Sequence, residues 1–220
     1  MKSEELEKVF HFCEKNKIFL ILDETYRDFI YPYQKQPHKI FNNKNWRSNF
    51  IHLYSFSKSC CIPGQRLGAL IADKSIINQI SKIMDNIQIC APRPAQQALA
   101  IYLDNLERFQ MEKTKEIGEK SKLFYKIISK YTNWKIASTG GFFSYLEHPF
   151  KFISSFEISK HLAEKCGIIS LPGTCFGYNQ EKYLRFSFAS IDHNMFKEIP
   201  NRFKKLESFY SVSNKLTVIE

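Results

Sequence analysis

The chain lacks any apolar run that could cross a bilayer. Its longest tight aliphatic stretch is Ile18-Phe19-Leu20-Ile21-Leu22, against roughly 20 apolar residues for a spanning helix. Cys13, Cys60, Cys61, Cys90, Cys166 and Cys175 form no C-x-x-C pair, and the six histidines show no ligand spacing. That pattern predicts reduced thiols, with neither a disulfide framework nor a zinc site. There is no Asn-x-Ser/Thr acceptor, and the opening Met1-Lys2-Ser3-Glu4-Glu5 is charged and leads into an amphipathic stretch, unlike a secretory signal. These absences favour a cytoplasmic protein without a membrane partner. No internal repeat or low-complexity tract interrupts the chain.

What is present is a basic, aromatic-rich chain of ordinary hydrophobicity. Lysine and arginine number 32 against 22 acids, a formal net charge of +10. The cations are spread along the whole length rather than gathered in an arm or stripe, which argues against nucleic acid as a partner. Such a balance also suits small anions, phosphates and carboxylates among them. With 220 residues, 44% of them hydrophobic, the chain can build a substantial core in one large domain or two small ones.

Hydrophobic periodicity predicts a helix over Glu4 to Lys15, with Ser3 as its cap, then a buried strand over Ile18 to Leu22. A continuous apolar strand after a helix suits a parallel sheet covered on both faces. Residues 32–49 connect to strands at Phe50 to Tyr54 and Leu67 to Ala72. Helices follow at Asp73 to Ile89, Ala95 to Leu103 and Asn105 to Tyr131, the last long enough to bridge two domains. Beyond it, short alternating segments (Trp134 to Ala137, Phe142 to Leu146, Leu184 to Phe188) and helices near 154–166 and 192–209 predict a small α+β domain. The expected division is 1–110 and 111–220.

Chemistry concentrates at the ends of the first two strands. Asp23-Glu24-Thr25-Tyr26 closes one, and Ser55-Phe56-Ser57-Lys58 closes the next, with Arg66 soon after. In open α/β sheets ligands sit at the carboxyl ends of strands. A lysine amine becomes a nucleophile once deprotonated, which nearby positive charge favours. An arginine fork matches phosphate oxygens, and serine hydroxyls add donors. Each residue alone has a plainer use: Asp23 as a turn former, Tyr26 as packing, Ser-x-Ser-Lys as surface. Their conjunction, in order and at strand ends, is far more specific.

Leu22-Asp23-Glu24-Thr25-Tyr26-Arg27-Asp28-Phe29 resembles the aspartate–tyrosine motif of the fold-type I, class I/II aminotransferases, which depend on pyridoxal 5'-phosphate (PLP). Leu53 to Lys58, continuing through Ile62-Pro63-Gly64-Gln65-Arg66-Leu67-Gly68-Ala69, resembles that family's lysine signature. Gly140-Gly141-Phe142-Phe143 and Leu171-Pro172-Gly173-Thr174-Cys175-Phe176-Gly177 are similar to its two small-domain glycine motifs. Tyr183-Leu184-Arg185-Phe186-Ser187-Phe188-Ala189 is similar to the segment whose arginine grips the substrate's alpha-carboxylate.

The resemblance implies an α/β fold, the back half of the PLP-transferase large domain with a mostly parallel sheet, followed by a small α+β C-terminal domain. It implies Lys58 as the lysine that bonds the cofactor and shuttles the proton. Asp23, Tyr26, Ser55, Ser57 and Arg66 would bind PLP, with Asp23 under the pyridine nitrogen and Tyr26 at the phenolic oxygen. Arg185 would bind the substrate carboxylate, and Arg93 in Ala91-Pro92-Arg93-Pro94 would line the substrate side or lie on the surface. The implied reaction is amino-group transfer between an amino acid and a 2-oxo acid. Decarboxylation, carbon–sulfur elimination and a non-catalytic remnant of a split gene remain alternatives. The family's Gly/Ser-rich phosphate cradle and stacking aromatic have no counterpart before Asp23. The expectation is therefore a truncated chain with weak PLP binding alone, acting as a homodimer or with a missing N-terminal half.

Overall fold

The computed structural model describes residues 1–30 and 36–216, with side chains through 211. Residues 31–35, which take in the start of the expected connection, lie outside it. The chain divides into two compact units, Met1–Lys115 and Glu116–Glu220.

The first unit opens with α1 (Ser3–Lys15), whose buried Phe10 and Cys13 lie on the apolar face. Lys2 rather than Ser3 is the cap: its backbone N–H donates to Glu5 Oε2 at 2.9 Å, while Ser3 Oγ donates to Glu7. The strand β1 (Leu20–Asp23) pairs parallel with β2 (Phe50–Ser55), Leu20 opposite Phe50 and Asp23 opposite Leu53. The strand β3 (Gly68–Ile71) then pairs antiparallel with β2, giving the order β1-β2-β3. The described sheet therefore holds one parallel and one antiparallel pair. Phe10 meets Phe50 edge-to-face, and Ile40 and Trp46 complete this core against Leu20 and Leu22.

Burial departs from the expectation of a strand covered on both faces. Ile21, pointing away from that core, is 59% exposed. The helices α3 (Lys74–Ile87) and α4 (Arg93–Tyr102) bury no residue. Asp73, expected inside the first of these helices, caps it instead by accepting from Ser75 N at 2.8 Å. Apolar periodicity is present in both helices without a described surface to receive it.

The single-turn helix α2 (Phe56–Ser59) follows β2 directly. The long helix α5 (Leu106–Tyr131) runs through the division between the units. In the second unit, β4 (Lys135–Gly140), β5 (Phe143–Glu147), β6 (Leu171–Pro172) and β7 (Tyr183–Ser187) form an antiparallel sheet of order β4-β5-β7-β6. The two-residue β6 has no alternation to announce it. Helices α6 (Ser155–Cys166) and α7 (Ile199–Leu216) pack together. Leu146, Leu184 and Phe186 are buried with Phe124, Ile128, Phe203 and Leu206. The period of two then sends Tyr145 and Arg185, register partners on β5 and β7, to the other sheet face.

Candidate active site

Parallel pairing places the carboxyl ends of β1 and β2 at one edge of the first sheet. Asp23 ends β1; Ser55 ends β2 and starts α2, which carries Lys58. The chain returns at once: Phe56 N donates to Leu67 O at 3.2 Å, and Ser55 is the register partner of Gly68. That return brings Arg66 to the same edge. A Cβ at position 68 would stand 2.9 Å from Tyr54 O, so glycine permits this close approach. Asp23, Tyr26, Ser55, Ser57, Lys58 and Arg66 are thus gathered at one end of the sheet by topology.

Asp23 Oδ1 accepts from Thr25 N at 3.0 Å and from Thr25 Oγ1 at 2.6 Å, a turn that stops the strand and orients the carboxylate. Ser55 Oγ accepts from Ser57 N at 3.3 Å, capping α2. Ser57 is buried and Lys58 half-buried; Lys58 Nζ has no hydrogen-bond or ion-pair partner among the described residues. Arg66 is exposed, in the left-handed region at φ 52°, and among the described residues donates once, from Nη1 to Pro63 O at 2.9 Å. The set presents an uncommitted amine, an oriented carboxylate, hydroxyls and a guanidinium with spare donors.

Beneath this edge lies an ionic cluster that the motif alone does not announce. Glu24 Oε2 stands 2.7 Å from His52 Nε2, 3.1 Å from His38 Nε2 and 3.1 Å from Arg27 Nη1. Burial by itself would raise the Glu24 pKa. Hydrogen bonds from His38 and His52, with the Arg27 charge, outweigh it and hold the carboxyl at about 2. His52 Nδ1 is buried without a partner among the described residues. Beside it, Tyr54 donates to Asp28 and lies 2.7 Å from Ser59 Oγ; burial first, then the Asp28 bond, push its phenol well above the ordinary value. The alternation of Phe50, His52 and Tyr54 along β2 is the one sequence signal for this cluster, since these positions share a strand face.

Arg185 belongs to the second unit, central on β7 between Tyr145 of β5 and Leu171 of β6. Its Cζ lies 4.4 Å from the Phe143 ring centroid and 4.7 Å from that of Phe176. No carboxylate or other acceptor among the described residues takes its N–H groups. Arg93 opens α4 on an exposed surface.

Comparison with known proteins gives this arrangement a family. The family described as aminotransferase class I and II matches residues 1–203. The chain therefore belongs to the class I and II aminotransferases. It is 25% identical over 201 residues to an aspartate aminotransferase of Sulfolobus acidocaldarius, covering 88% of this chain and 49% of that protein. An aspartate aminotransferase of Pyrococcus horikoshii is 29% identical over 196 residues, again covering 88% and 49%. The crystal structure of an aromatic aminotransferase from Pyrococcus horikoshii superposes with a TM-score of 0.82 at 22% identity, over 97% of this chain and 57% of that one. The chain spans about half the length of the curated relatives it matches. The α/β architecture is accordingly a partial type I transferase fold, of a family that is PLP-dependent. Among the described residues no helix is long and apolar enough to cross a membrane.

Proposed function

We propose that this chain carries the lysine-bearing part of a PLP-dependent aminotransferase site, transferring an amino group between an amino acid and a 2-oxo acid. The observation that supports this most is the uncommitted Lys58 amine at the sheet edge that also holds Asp23 and Arg66. The first unit would hold the cofactor and the second would be the small domain.

Lys58 would hold the cofactor through Nζ and carry the proton at the substrate's alpha carbon. Asp23, whose Oδ1 accepts from Thr25, would hold the proton on the pyridine nitrogen. Tyr26 would meet the phenolic oxygen. Ser55, Ser57 and Arg66 would bind the phosphate, and Arg185 the substrate carboxylate through a bidentate pair. Bound PLP would supply the electron sink for charge developing at the alpha carbon. Phe19 and Ile21, both more than half exposed, favour association with a second polypeptide: another copy, or the half of the family length that this sequence does not span.

The test is to add PLP to the purified chain, reduce with borohydride and map the labelled peptide. The label should fall on Lys58 and vanish in Lys58→Ala. Labelling spread over surface lysines would refute the assignment.

A further inference from the structure

Arginines that recognise a carboxylate are commonly fixed by protein carboxylates, which then compete with the ligand. Arg185 is fixed otherwise. Its guanidinium carbon lies over the rings of Phe143 and Phe176, and its N–H edge has no acceptor among the described residues. Cation–π contact engages the flat face of the group and leaves its hydrogen-bonding edge unspent.

The two rings reach this position by different routes. Phe143 starts β5, opposite Ser187 in the register. Phe176 ends the turn Gly173–Phe176 after β6 and meets Tyr145 edge-to-face, centroids 6.2 Å apart. Tyr145 is in turn held by stacking on Tyr183 at 5.2 Å and by donating to Gln180 Oε1 at 2.9 Å. Burial raises the Tyr145 pKa, so the phenol stays a donor. A chain of packed rings thus runs from the sheet to the guanidinium.

We infer that Phe143 and Phe176 are positioning residues, which present the Arg185 fork to a carboxylate of an amino acid or 2-oxo acid without an internal ion pair to displace. This rests on Arg185 being the carboxylate site proposed above. It adds that affinity depends on the two aromatic faces and not only on the charge.

The experiment uses the full chain with 15N-labelled arginine and 2-oxoglutarate as the probe. The Arg185 Nε–H resonance of the free chain should move on Phe143→Leu and on Phe176→Leu, because the ring currents are lost while apolar bulk is kept. The dissociation constant for 2-oxoglutarate should rise about tenfold in each leucine variant, the loss of one partly exposed cation–π contact. Phe143→Tyr and Phe176→Tyr, which keep the ring, should restore it. Phe176 is 48% exposed, so its leucine variant is the one that leaves folding intact. Leucine variants that bind like the parent, while Arg185→Lys does not, would overturn the inference and spare the carboxylate site. Unchanged binding in Arg185→Lys would overturn both.

Discussion

His52 Nε2 lies 2.7 Å from Glu24 Oε2, joining the middle of β2 to the residue that follows β1. Glu24 is the immediate neighbour of Asp23, and its backbone N–H donates to Leu53 O at 2.9 Å. The cluster therefore anchors the turn carrying the proposed pyridine-facing acid. Its side chains are almost fully buried: 10% exposure at Glu24, 3% at His52 and 1% at His38. A carboxylate so enclosed is tolerable only because three donors converge on it.

That enclosure makes a prediction in acid. The Glu24 carboxyl titrates at about 2 in the fold against 4.5 ordinarily. Its ionised form then stabilises the fold fully above pH 4.5, and the contribution is lost as pH falls from there toward 2. Glu24→Gln should cost of order 2 kcal/mol at neutral pH and flatten the acid limb of the stability curve. Urea unfolding between pH 2 and 7 measures both. A variant whose acid limb parallels the parent's would contradict the cluster's role.

Tyr54 makes the opposite prediction. Its folded phenol titrates above the ordinary value of 10.0 because it is buried and donates to Asp28. A raised folded pKa gives stability that is complete below pH 10 and is lost as pH rises beyond it. Tyr54→Phe should cost about 1–2 kcal/mol at neutral pH, by leaving Asp28 and Ser59 short of a partner. It should also lose the parent's alkaline decline, seen by circular dichroism between pH 8 and 11.

The order of the longer elements was legible, because helix and strand periods are local, whereas the short α2 and β6 were not. Leu6, Val9, Phe10 and Cys13 announce α1, and the breaks at Asp23, Pro63-Gly64 and Pro92 announce turns. Burial was less so. The apolar run 18–22 suggests two covered faces, but covering depends on distant chain, and Ile21 is exposed. The gathering of Asp23, Lys58 and Arg66 followed from motif order. By contrast, Glu24, His38 and His52 are widely spaced: the pairing of β1 with β2 brings Glu24 beside His52, and His38 reaches the same carboxylate from the segment between the two strands. Phe176 reaches Arg185 through the pairing of Leu171 with Arg185 and the turn that follows. No local pattern carries that information.

Gly173 governs that turn. A Cβ there would stand 2.3 Å from Gln180 O and 2.7 Å from both Tyr145 Oη and Tyr183 O. Two of these are backbone atoms that cannot yield cheaply. Gly173→Ala should destabilise the second unit by about 1–3 kcal/mol, as overpacking does. It should also disturb the Arg185 Nε–H resonance through Tyr145 and Phe176, whereas Gly64→Ala, with open space at its Cβ, should leave that resonance unmoved.

Arg66 offers a test that separates phosphate recognition from the rest of the proposed cofactor site. Its single bond among the described residues, to Pro63 O, leaves the other N–H groups available. A charge-assisted pair with phosphate contributes about 1.5–3 kcal/mol, or roughly a 10- to 100-fold change in affinity. Arg66→Ala should weaken PLP binding by that factor and leave pyridoxal, which lacks the phosphate, bound as before. Lys58→Ala should act differently, abolishing covalent capture of both. Because Arg66 sits at φ 52°, Arg66→Gly relieves backbone strain while removing the charge. A chain that is more stable yet still poor at PLP binding would separate charge from fold. Equal loss of pyridoxal and PLP in Arg66→Ala would instead place this guanidinium away from the phosphate.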